Sequence, residues 1–314
     1  MRKSWLAGAA LAALTFASSA QAETKVAIGF SGWTGFGPLT LAKEAGIFKK
    51  NGLDVTLNKI PQASRHLALA SGDIQCAATT VETWIIWNAA GVKSKQIFQM
   101  DKSYGADGIA VRADVNSFAD LKCKTIAASA PGTSPYFFLA FMLAKNGMTT
   151  KDVKIVNMEP GPAAQAFVAG QNDAALTYEP YLSTVRAAPD KGKILATTLE
   201  YPAVMDTVGC TPDFLEKNPE AAKALATSYF EALEMIAADQ AKSYEIMGKD
   251  VKQSGEEFGK SAAYLRWQDK AANQKFFEGE FKEFSEEATK LLLDAGVIKN
   301  KPNLDDIVDT SFIK

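Results

Sequence analysis

Two stretches of the chain, about a hundred residues apart, share one pattern. Residues 69–84 read LASGDIQCAATTVETW, and residues 167–182 read FVAGQNDAALTYEPYL. In each, an apolar helix end leads through a glycine turn into a short strand of small residues that ends on Thr-x-Glu. Such a strand places its glutamate at the carboxyl edge of a sheet, where ligands bind in open α/β folds. The repeat therefore predicts two similar lobes that face one cleft.

Strand-like and helix-like runs alternate through the first two thirds of the chain. Short apolar strands at residues 25–30, 124–128 and 153–158 alternate with helical segments. After Pro219 the apolar residues recur with helical spacing only. This alternation predicts an α/β fold with two Rossmann-like lobes, parallel-rich sheets and crossover helices.

Two extended segments, YGADGIAV from residue 104 and YPAVMDTVGC from residue 201, are suited to cross between the lobes. A ligand held by both lobes would stabilise the closed form. The expected division is lobe one at residues 23–106 plus 208–314, an inserted lobe two at residues 110–203, and a two-crossing hinge near residues 107–109 and 204–207.

The first 22 residues, MRKSWLAGAALAALTFASSAQA, have the pattern of an export signal. Arg2 and Lys3 precede an apolar run that is too short to span a bilayer, and residues 20–22 form an Ala-Gln-Ala cleavage site. No cysteine follows that would carry a lipid anchor. We expect cleavage near Ala22. The product should be a free, monomeric periplasmic protein without stable membrane insertion.

The net charge of −2 provides no electrostatic basis for binding nucleic acid. Three cysteines, Cys76, Cys123 and Cys210, cannot all pair within the chain. Cys76 and Cys210 lie in strand-like contexts, which favours buried thiols. No Cys/His spacing is typical of a zinc site, so we expect neither a metal nor another cofactor.

Four acidic residues fall where strands or crossings meet the expected cleft. Any one of them could be a surface carboxylate or a helix cap, because Asp and Glu are rarely buried unless paired. Together in a dry cleft they would repel one another, and a bound cation would relieve that repulsion. No Arg or Lys lies in these runs, although folding could bring Lys102 or Arg186 near. The four residues are Glu82, Asp107, Glu179 and Asp206.

Aromatic residues accompany these carboxylates. Trp33 lies in a glycine-rich turn that should leave it exposed, whereas Trp84 and Trp87 are expected to pack in the core. A flat cation can stack on Trp33, and the planar fork of guanidinium matches carboxylates. Thr80 and Tyr178, each close to a glutamate, complete the expected cation site.

The segment Pro-Gly-Thr-Ser at residues 131–134 opens an apolar helix. Thr133 or Ser134 could be a plain N-cap. Alternatively, the free N–H groups of this helix end could bind an anion. The ligand would then be zwitterionic, and taurine-like molecules would fit.

Catalysis has little support in the sequence. His66 is the only histidine, lies within a helical segment and has no evident partner. There is no nucleophile elbow, and the Gly35-x-Gly37 pair lacks the spacing of a dinucleotide site. We therefore expect no catalytic residue and no enzymatic activity.

Several longer motifs resemble one known family. They are the G-W-x-G-x-G-P turn at residues 32–38, LAKEAGIFKKNGLDV at residues 41–55, FADLKCKTIAASAPGTSPYFFL at residues 118–139, and the G-x-x-D-A-A-x-x-x-E-P run at residues 170–180. Over essentially the whole mature chain, the sequence resembles periplasmic binding proteins of the nitrate/sulfonate/taurine type. That resemblance implies a Venus flytrap fold and delivery of a small molecule to an ABC permease and its ATPase. Within the family, the chain looks most like proteins encoded beside urea carboxylase, which are associated with urea-like or guanidine substrates.

The expected function is a periplasmic receptor for a small nitrogen-rich cation, with guanidine as the first choice. A urea, taurine or aliphatic sulfonate receptor remains an alternative. Two readings of other classes also remain: a pyrimidine-precursor synthase on the same scaffold, and the input domain of a two-component sensor.

Overall fold

The computed structural model describes residues 23–314 of the chain, so the expected export signal lies outside the described residues. The strands are β1 (Thr24–Phe30), β2 (Leu53–Lys59), β3 (Cys76–Thr80), β4 (Lys95–Ser103), β5 (Asp107–Val111), β6 (Thr125–Ala128), β7 (Lys154–Asn157), β8 (Ala174–Tyr178), β9 (Lys193–Thr197), β10 (Met205–Cys210) and β11 (Leu265–Trp267). The helices are α1 (Gly37–Glu44), α2 (Ile47–Lys50), α3 (Gln62–Ser71), α4 (Val81–Ala89), α5 (Ser134–Lys145), α6 (Pro160–Val168), α7 (Tyr181–Arg186), α8 (Pro212–Lys217), α9 (Pro219–Ala238), α10 (Gln240–Asp250), α11 (Gly255–Ala262), α12 (Lys270–Lys275) and α13 (Phe281–Asp294). A π-helical turn, Phe276–Glu280, joins α12 to α13.

The strands form two sheets of similar construction. The first has the order β11-β4-β10-β3-β1-β2, and the second has the order β7-β6-β8-β5-β9. In both, a central strand (β3 or β8) has a parallel neighbour on one side and an antiparallel neighbour on the other. The two predicted repeats contain these central strands, which confirms the expected two-lobe α/β fold with parallel-rich sheets.

The chain passes between the sheets twice, at residues 104–106 and 198–204. The residues of the predicted hinge lie at the ends of these crossings. Asp107–Ile109 belong to β5 and Met205–Thr207 belong to β10, because these residues pair with the central strands β8 and β3. Their backbone hydrogen bonds hold them within the sheets, and the crossings lie just outside them.

The sequence division assigns the C-terminal helix α13 to lobe one. In the structure, α13 lies between the two lobes. Its apolar face, including Phe284, joins a buried cluster that also contains Phe137 of α5, with ring centroids 6.2 Å apart. Lys145 of α5 forms an ion pair with Glu287 of α13 at 2.6 Å. Burying the apolar face of this amphipathic helix thus fixes it against α5 of lobe two.

The expectation of buried free thiols at Cys76 and Cys210 is wrong. The two residues face each other across β3 and β10, and a disulfide joins them. Cys123 is exposed and unpaired. The odd cysteine count is accounted for by one cross-strand bridge and one free thiol.

Candidate functional site

The edges of the two sheets meet around a small buried space, which we call the carboxylate cavity. Its volume is about 30 Å³. One water needs about 10–15 Å³, so the cavity suits a ligand of only a few non-hydrogen atoms. It is lined by Ser31, Trp33, Phe36, Gln62, Arg65, Thr79, Thr80, Asp107, Ser134, Tyr178, Val204 and Asp206.

The cavity brings together most of the residues that the sequence predicts for the site. Trp33, Thr80, Asp107, Ser134, Tyr178 and Asp206 line it. Glu82, Thr133 and Glu179 do not. The strand geometry explains the grouping, because the carboxyl ends of β1, β3 and β8 and the starts of the antiparallel strands β5 and β10 share the same edges.

Asp107 and Asp206 occupy equivalent places in the two lobes. Asp206 pairs with Thr80 at the end of β3, and Asp107 pairs with Tyr178 at the end of β8. Both aspartates are buried, with 4% of the surface of Asp107 and 3% of the surface of Asp206 exposed. Among residues 23–314, Oδ2 of Asp107 has no hydrogen-bond partner. Two buried acceptors therefore face the cavity from opposite lobes.

Burial changes the protonation of these aspartates. Burial, with a smaller contribution from the nearby Glu179 carboxylate, raises the pKa of Asp107 to about 7. Burial also raises the pKa of Asp206 well above its usual range, with added repulsion from Asp101 and Asp107. Burial thus favours the neutral forms, and a bound cation would favour the charged ones.

Asp101 is a site residue that the sequence reasoning missed. It lies on β4 directly opposite Asp206, is fully buried, and accepts the indole N–H of Trp33 at 3.2 and 3.4 Å. Burial raises the pKa of Asp101 well above its usual range. The available signal was a lone aspartate that directly follows the apolar-rich residues 96–100 within a strand.

The expectation that Trp33 is exposed is wrong. Trp33 is only 5% exposed, and its ring meets Tyr178 edge to face at a centroid distance of 5.3 Å. Gly35 makes this position possible, because a Cβ there would lie 2.2 Å from Nε1 of Trp33 and 2.3 Å from Oδ2 of Asp101. Trp33 therefore forms a fixed wall of the cavity, oriented by Asp101.

Arg65 is the second residue that was missed, and it places a cation beside the carboxylates. Its guanidinium is fully buried and donates to the carbonyls of Ile60 (2.8 Å) and Ala78 (2.6 Å) and to Oγ of Ser31. Burial lowers the pKa of Arg65 to about 10, so it remains charged at neutral pH.

The two basic residues that folding was expected to bring near the site are engaged elsewhere. Lys102 pairs with Glu280, and Arg186 pairs with Glu179 at 3.3 Å. Among the residues described, Arg65 is the basic side chain that lines the cavity.

Glu82 lies one layer behind the cavity, in the first turn of α4. Its Oε1 accepts the hydroxyl of Thr80, which itself lines the cavity, and its Oε2 has no partner among the described residues. Burial raises the pKa of Glu82 to about 7. Glu82 can therefore influence the binding of a ligand indirectly, through its hydrogen bond with the hydroxyl of Thr80.

Glu179 has a different environment and is satisfied within the protein. It accepts hydrogen bonds from the backbone N–H (3.1 Å) and hydroxyl (2.7 Å) of Ser183, and from Nε of Arg186 at 3.3 Å. The hydroxyl of Ser261 in α11 adds a contact at 3.4 Å. The two glutamates of the repeat are thus not equivalent in the fold.

The start of α5 reaches the cavity through Ser134. The backbone N–H of Ser134 donates to Oε1 of Gln62 at 3.1 Å, while its buried hydroxyl has no partner in the part of the chain described. Thr133 instead donates to the carbonyl of Ala130 at 2.7 Å and forms no side-chain cap. Gln62 also donates to Thr79 and Thr83, so it connects α5 of lobe two to lobe one.

The other residues considered in the sequence analysis lie outside the cavity lining. Trp84 is fully buried, donates to Thr207 at 2.8 Å and packs against Trp87, as expected for core residues. His66 does not line the cavity. Within residues 23–314, no cluster of three or more His, Cys, Asp or Glu side chains is arranged to hold a metal ion. No helix in that range is both long and apolar enough to cross a membrane.

Several curated proteins are similar to this chain. A protein of Brucella abortus (strain 2308) that is named as a binding protein is 27% identical over 216 residues, which cover 68% of this chain and 66% of that protein. The chain thus spans slightly less than two thirds of that relative. The taurine-binding periplasmic protein of Escherichia coli (strain K12) is 28% identical over 235 residues, or 73% of this chain and 72% of that protein.

Solved structures share the fold at low sequence identity. The alkanesulfonate-binding protein SsuA from Xanthomonas axonopodis pv. citri, bound to MOPS, has a TM-score of 0.77 and 18% identity, covering 93% of this chain and 100% of that one. The periplasmic nitrate-binding protein NrtA from Synechocystis PCC 6803 has a TM-score of 0.65 and 19% identity, covering 90% and 92%. Residues 19–247 match the NMT1-like family, and because this match spans well over half of the sequence, the chain belongs to that family.

Proposed function

We propose that this chain is the periplasmic solute receptor of an ATP-driven importer, and that its ligand is a small nitrogen-rich cation, with guanidinium as the first choice. The observation that carries the proposal is the pair of buried aspartates, Asp107 and Asp206, which face one small cavity from opposite lobes. A ligand that bonds to both would hold the lobes together, and its binding energy would favour closure.

The charge of the cavity supports a cation. Four buried carboxyl groups, on Glu82, Asp101, Asp107 and Asp206, lie in or beside it, against the single charge of Arg65. When ionised, these buried carboxylates would repel one another strongly. A cation between the two lobes removes this repulsion and uses the free Oδ2 of Asp107.

The size and shape of the cavity support guanidinium within this class. A space of about 30 Å³ suits one small planar ion. The N–H groups of guanidinium can bond to the aspartates in the plane of the ion. The ring of Trp33 offers an aromatic wall for its face. Urea has a similar shape, but it is neutral and gains less from carboxylates.

The transport role is supported by the relatives and by the expected export signal. The relatives carry the names of binding proteins, and one is named as periplasmic. We infer that the mature protein lies in the periplasm, binds without catalysis, and passes its ligand to a permease and its ATPase. We place it in the urea-carboxylase-associated subgroup, and we propose that the two sheets with their helices move as lobes about residues 104–106 and 198–204.

A zwitterionic ligand such as taurine is the second candidate. Its ammonium group would bond to Asp107 and Asp206, and its sulfonate would bond to Arg65 and the free hydroxyl of Ser134. The name of the Escherichia coli relative agrees with this possibility. The cavity would have to expand to hold a ligand of that length.

Calorimetric titration at pH 8 separates these candidates. The ligands are guanidinium, urea, taurine, an alkanesulfonate and nitrate, and the control protein is the Asp206→Asn variant. We expect tight binding of guanidinium to the unmodified protein and at least a tenfold loss in the variant. Tight binding of nitrate or a sulfonate with no guanidinium signal would refute the cation proposal, and turnover of any bound ligand would favour an enzyme.

A further inference from the structure

A second, larger space lies next to the carboxylate cavity, and we call it the outer chamber. Its volume is about 260 Å³, against about 30 Å³ for the cavity. Its walls include Phe30, Pro160, Gly161, Tyr178 and Tyr181. Ser31 and Tyr178 line both spaces, so the two are adjacent.

Aromatic rings continue from the cavity into the outer chamber. Trp33 contacts Tyr178 with ring centroids 5.3 Å apart, and Tyr178 contacts Tyr181 at 5.8 Å. Gly161 leaves room for this arrangement, because a Cβ there would lie 3.1 Å from the ring of Tyr181. A substituent leaving the cavity past Tyr178 would therefore meet aromatic and proline surface.

The charges at the outer chamber also bear on what it can hold. Lys59 is paired with Asp250 at 3.0 Å and lies over the ring of Phe30, so its charge is already compensated. Glu159 has no ion-pair partner within residues 23–314. This balance disfavours an anionic substituent, while the aromatic and proline surface favours an apolar one.

We propose that the outer chamber is a subsite for a short apolar N-substituent, so that the ligand class extends to monosubstituted guanidinium ions. The charged head would lie between Asp107 and Asp206, and the substituent would pack against Tyr178 and Tyr181. This inference rests on the proposed function, since the head group must first occupy the carboxylate cavity.

The test compares guanidinium, N-propylguanidinium and N-benzylguanidinium by calorimetry on three proteins. These are the unmodified chain, Tyr181→Ala, and Tyr181→Phe as a matched control that keeps the ring. We expect the substituted ions to bind the unmodified chain at least as tightly as guanidinium does. Tyr181→Ala should weaken N-benzylguanidinium about tenfold and guanidinium less than twofold, and Tyr181→Phe should leave both within twofold.

A fourth protein, Pro162→Trp, adds bulk to the wall of the same chamber. It should weaken N-benzylguanidinium and spare guanidinium. If guanidinium binds but both substituted ions bind more than tenfold more weakly to the unmodified chain, the subsite is refuted and the proposed function stands. If Tyr181→Ala weakens all three ions equally, the subsite is likewise refuted. If no guanidinium ion binds and taurine does, both proposals fail.

Discussion

The central strands of the two lobes, β3 and β8, each lie between one parallel and one antiparallel strand, but the segments that follow them differ. Each ends on a residue that faces an aspartate across an antiparallel pair, Thr80 with Asp206 and Tyr178 with Asp107. Beyond the strand the lobes diverge. In lobe one the next turn buries a glutamate behind the cavity, whereas in lobe two the glutamate joins Ser183 and Arg186.

The comparison shows which part of the repeat serves the cavity. Equivalent positions in the two sheets are occupied by Asp107 and Asp206, on strands that the repeat does not include. Glu82 and Glu179 share a sequence motif but differ by one position relative to the strand end, so they face different surroundings. The lobes are similar in their sheet edges and different in the turns that follow.

The largest expected difference between the lobes is in stability, at the ends of the β3–β10 and β5–β8 pairs that lie away from the cavity. In lobe one, Cys76 and Cys210 face each other and are bridged, while the equivalent pair in lobe two is Ala174 and Val111. Replacing both cysteines by alanine should lower the free energy of unfolding by about 2–5 kcal/mol. Hydrogen exchange should show the loss concentrated in β3 and β10. Equal deprotection of β5 and β8 would contradict this assignment.

The aspartates should have the next largest effect, and they should be equivalent. We expect Asp107→Asn and Asp206→Asn each to weaken guanidinium binding by about 1.5–3 kcal/mol, the value of a hydrogen bond to a charged group. That loss is roughly 10- to 150-fold in Kd, measurable by calorimetry at constant pH. A loss confined to one of the two variants would show that the ligand contacts a single lobe.

Replacing Glu82 should mainly affect ligand binding, whereas replacing Glu179 should mainly affect the stability of the fold. Glu82→Gln should weaken guanidinium binding by about 1 kcal/mol, because it acts through Thr80. Glu179→Gln should change affinity less than twofold and lower the free energy of unfolding by about 1–2 kcal/mol, because it disrupts bonds to Ser183 and Arg186. Calorimetry and denaturant unfolding on the same samples provide both values. Equal binding losses would restore the equivalence that the sequence motif predicts.

The sequence predicted the architecture and much of the cavity wall. Alternating strands and helices indicated two α/β lobes. Strand ends indicated Thr80 and Tyr178, and the extended crossing segments indicated the two aspartates. These features depend on local patterns, since periodicity and strand ends can be read along the chain.

The remaining features depend on contacts between distant segments. Arg65 belongs to a helix whose sequence gives no sign that its side chain reaches Ser31 and the carbonyl of Ala78. Asp101 enters the site only because β4 pairs with β10. The disulfide joins residues 134 positions apart, and its partners depend on strand register. Local propensity contains none of this information.

The most direct test of the cation account is the pH dependence of guanidinium binding, measured by calorimetry in two buffers with different ionisation enthalpies. Burial raises the pKa values of Asp107 and Glu82 to about 7, so without a bound cation these two groups are largely protonated at pH 6 and largely ionised at pH 8. A cation binds the ionised form, so binding should release protons below pH 7. Its affinity should rise about tenfold from pH 6 to pH 8 for each group that must ionise. Affinity that is constant over this range, or that rises as the pH falls, would contradict the account.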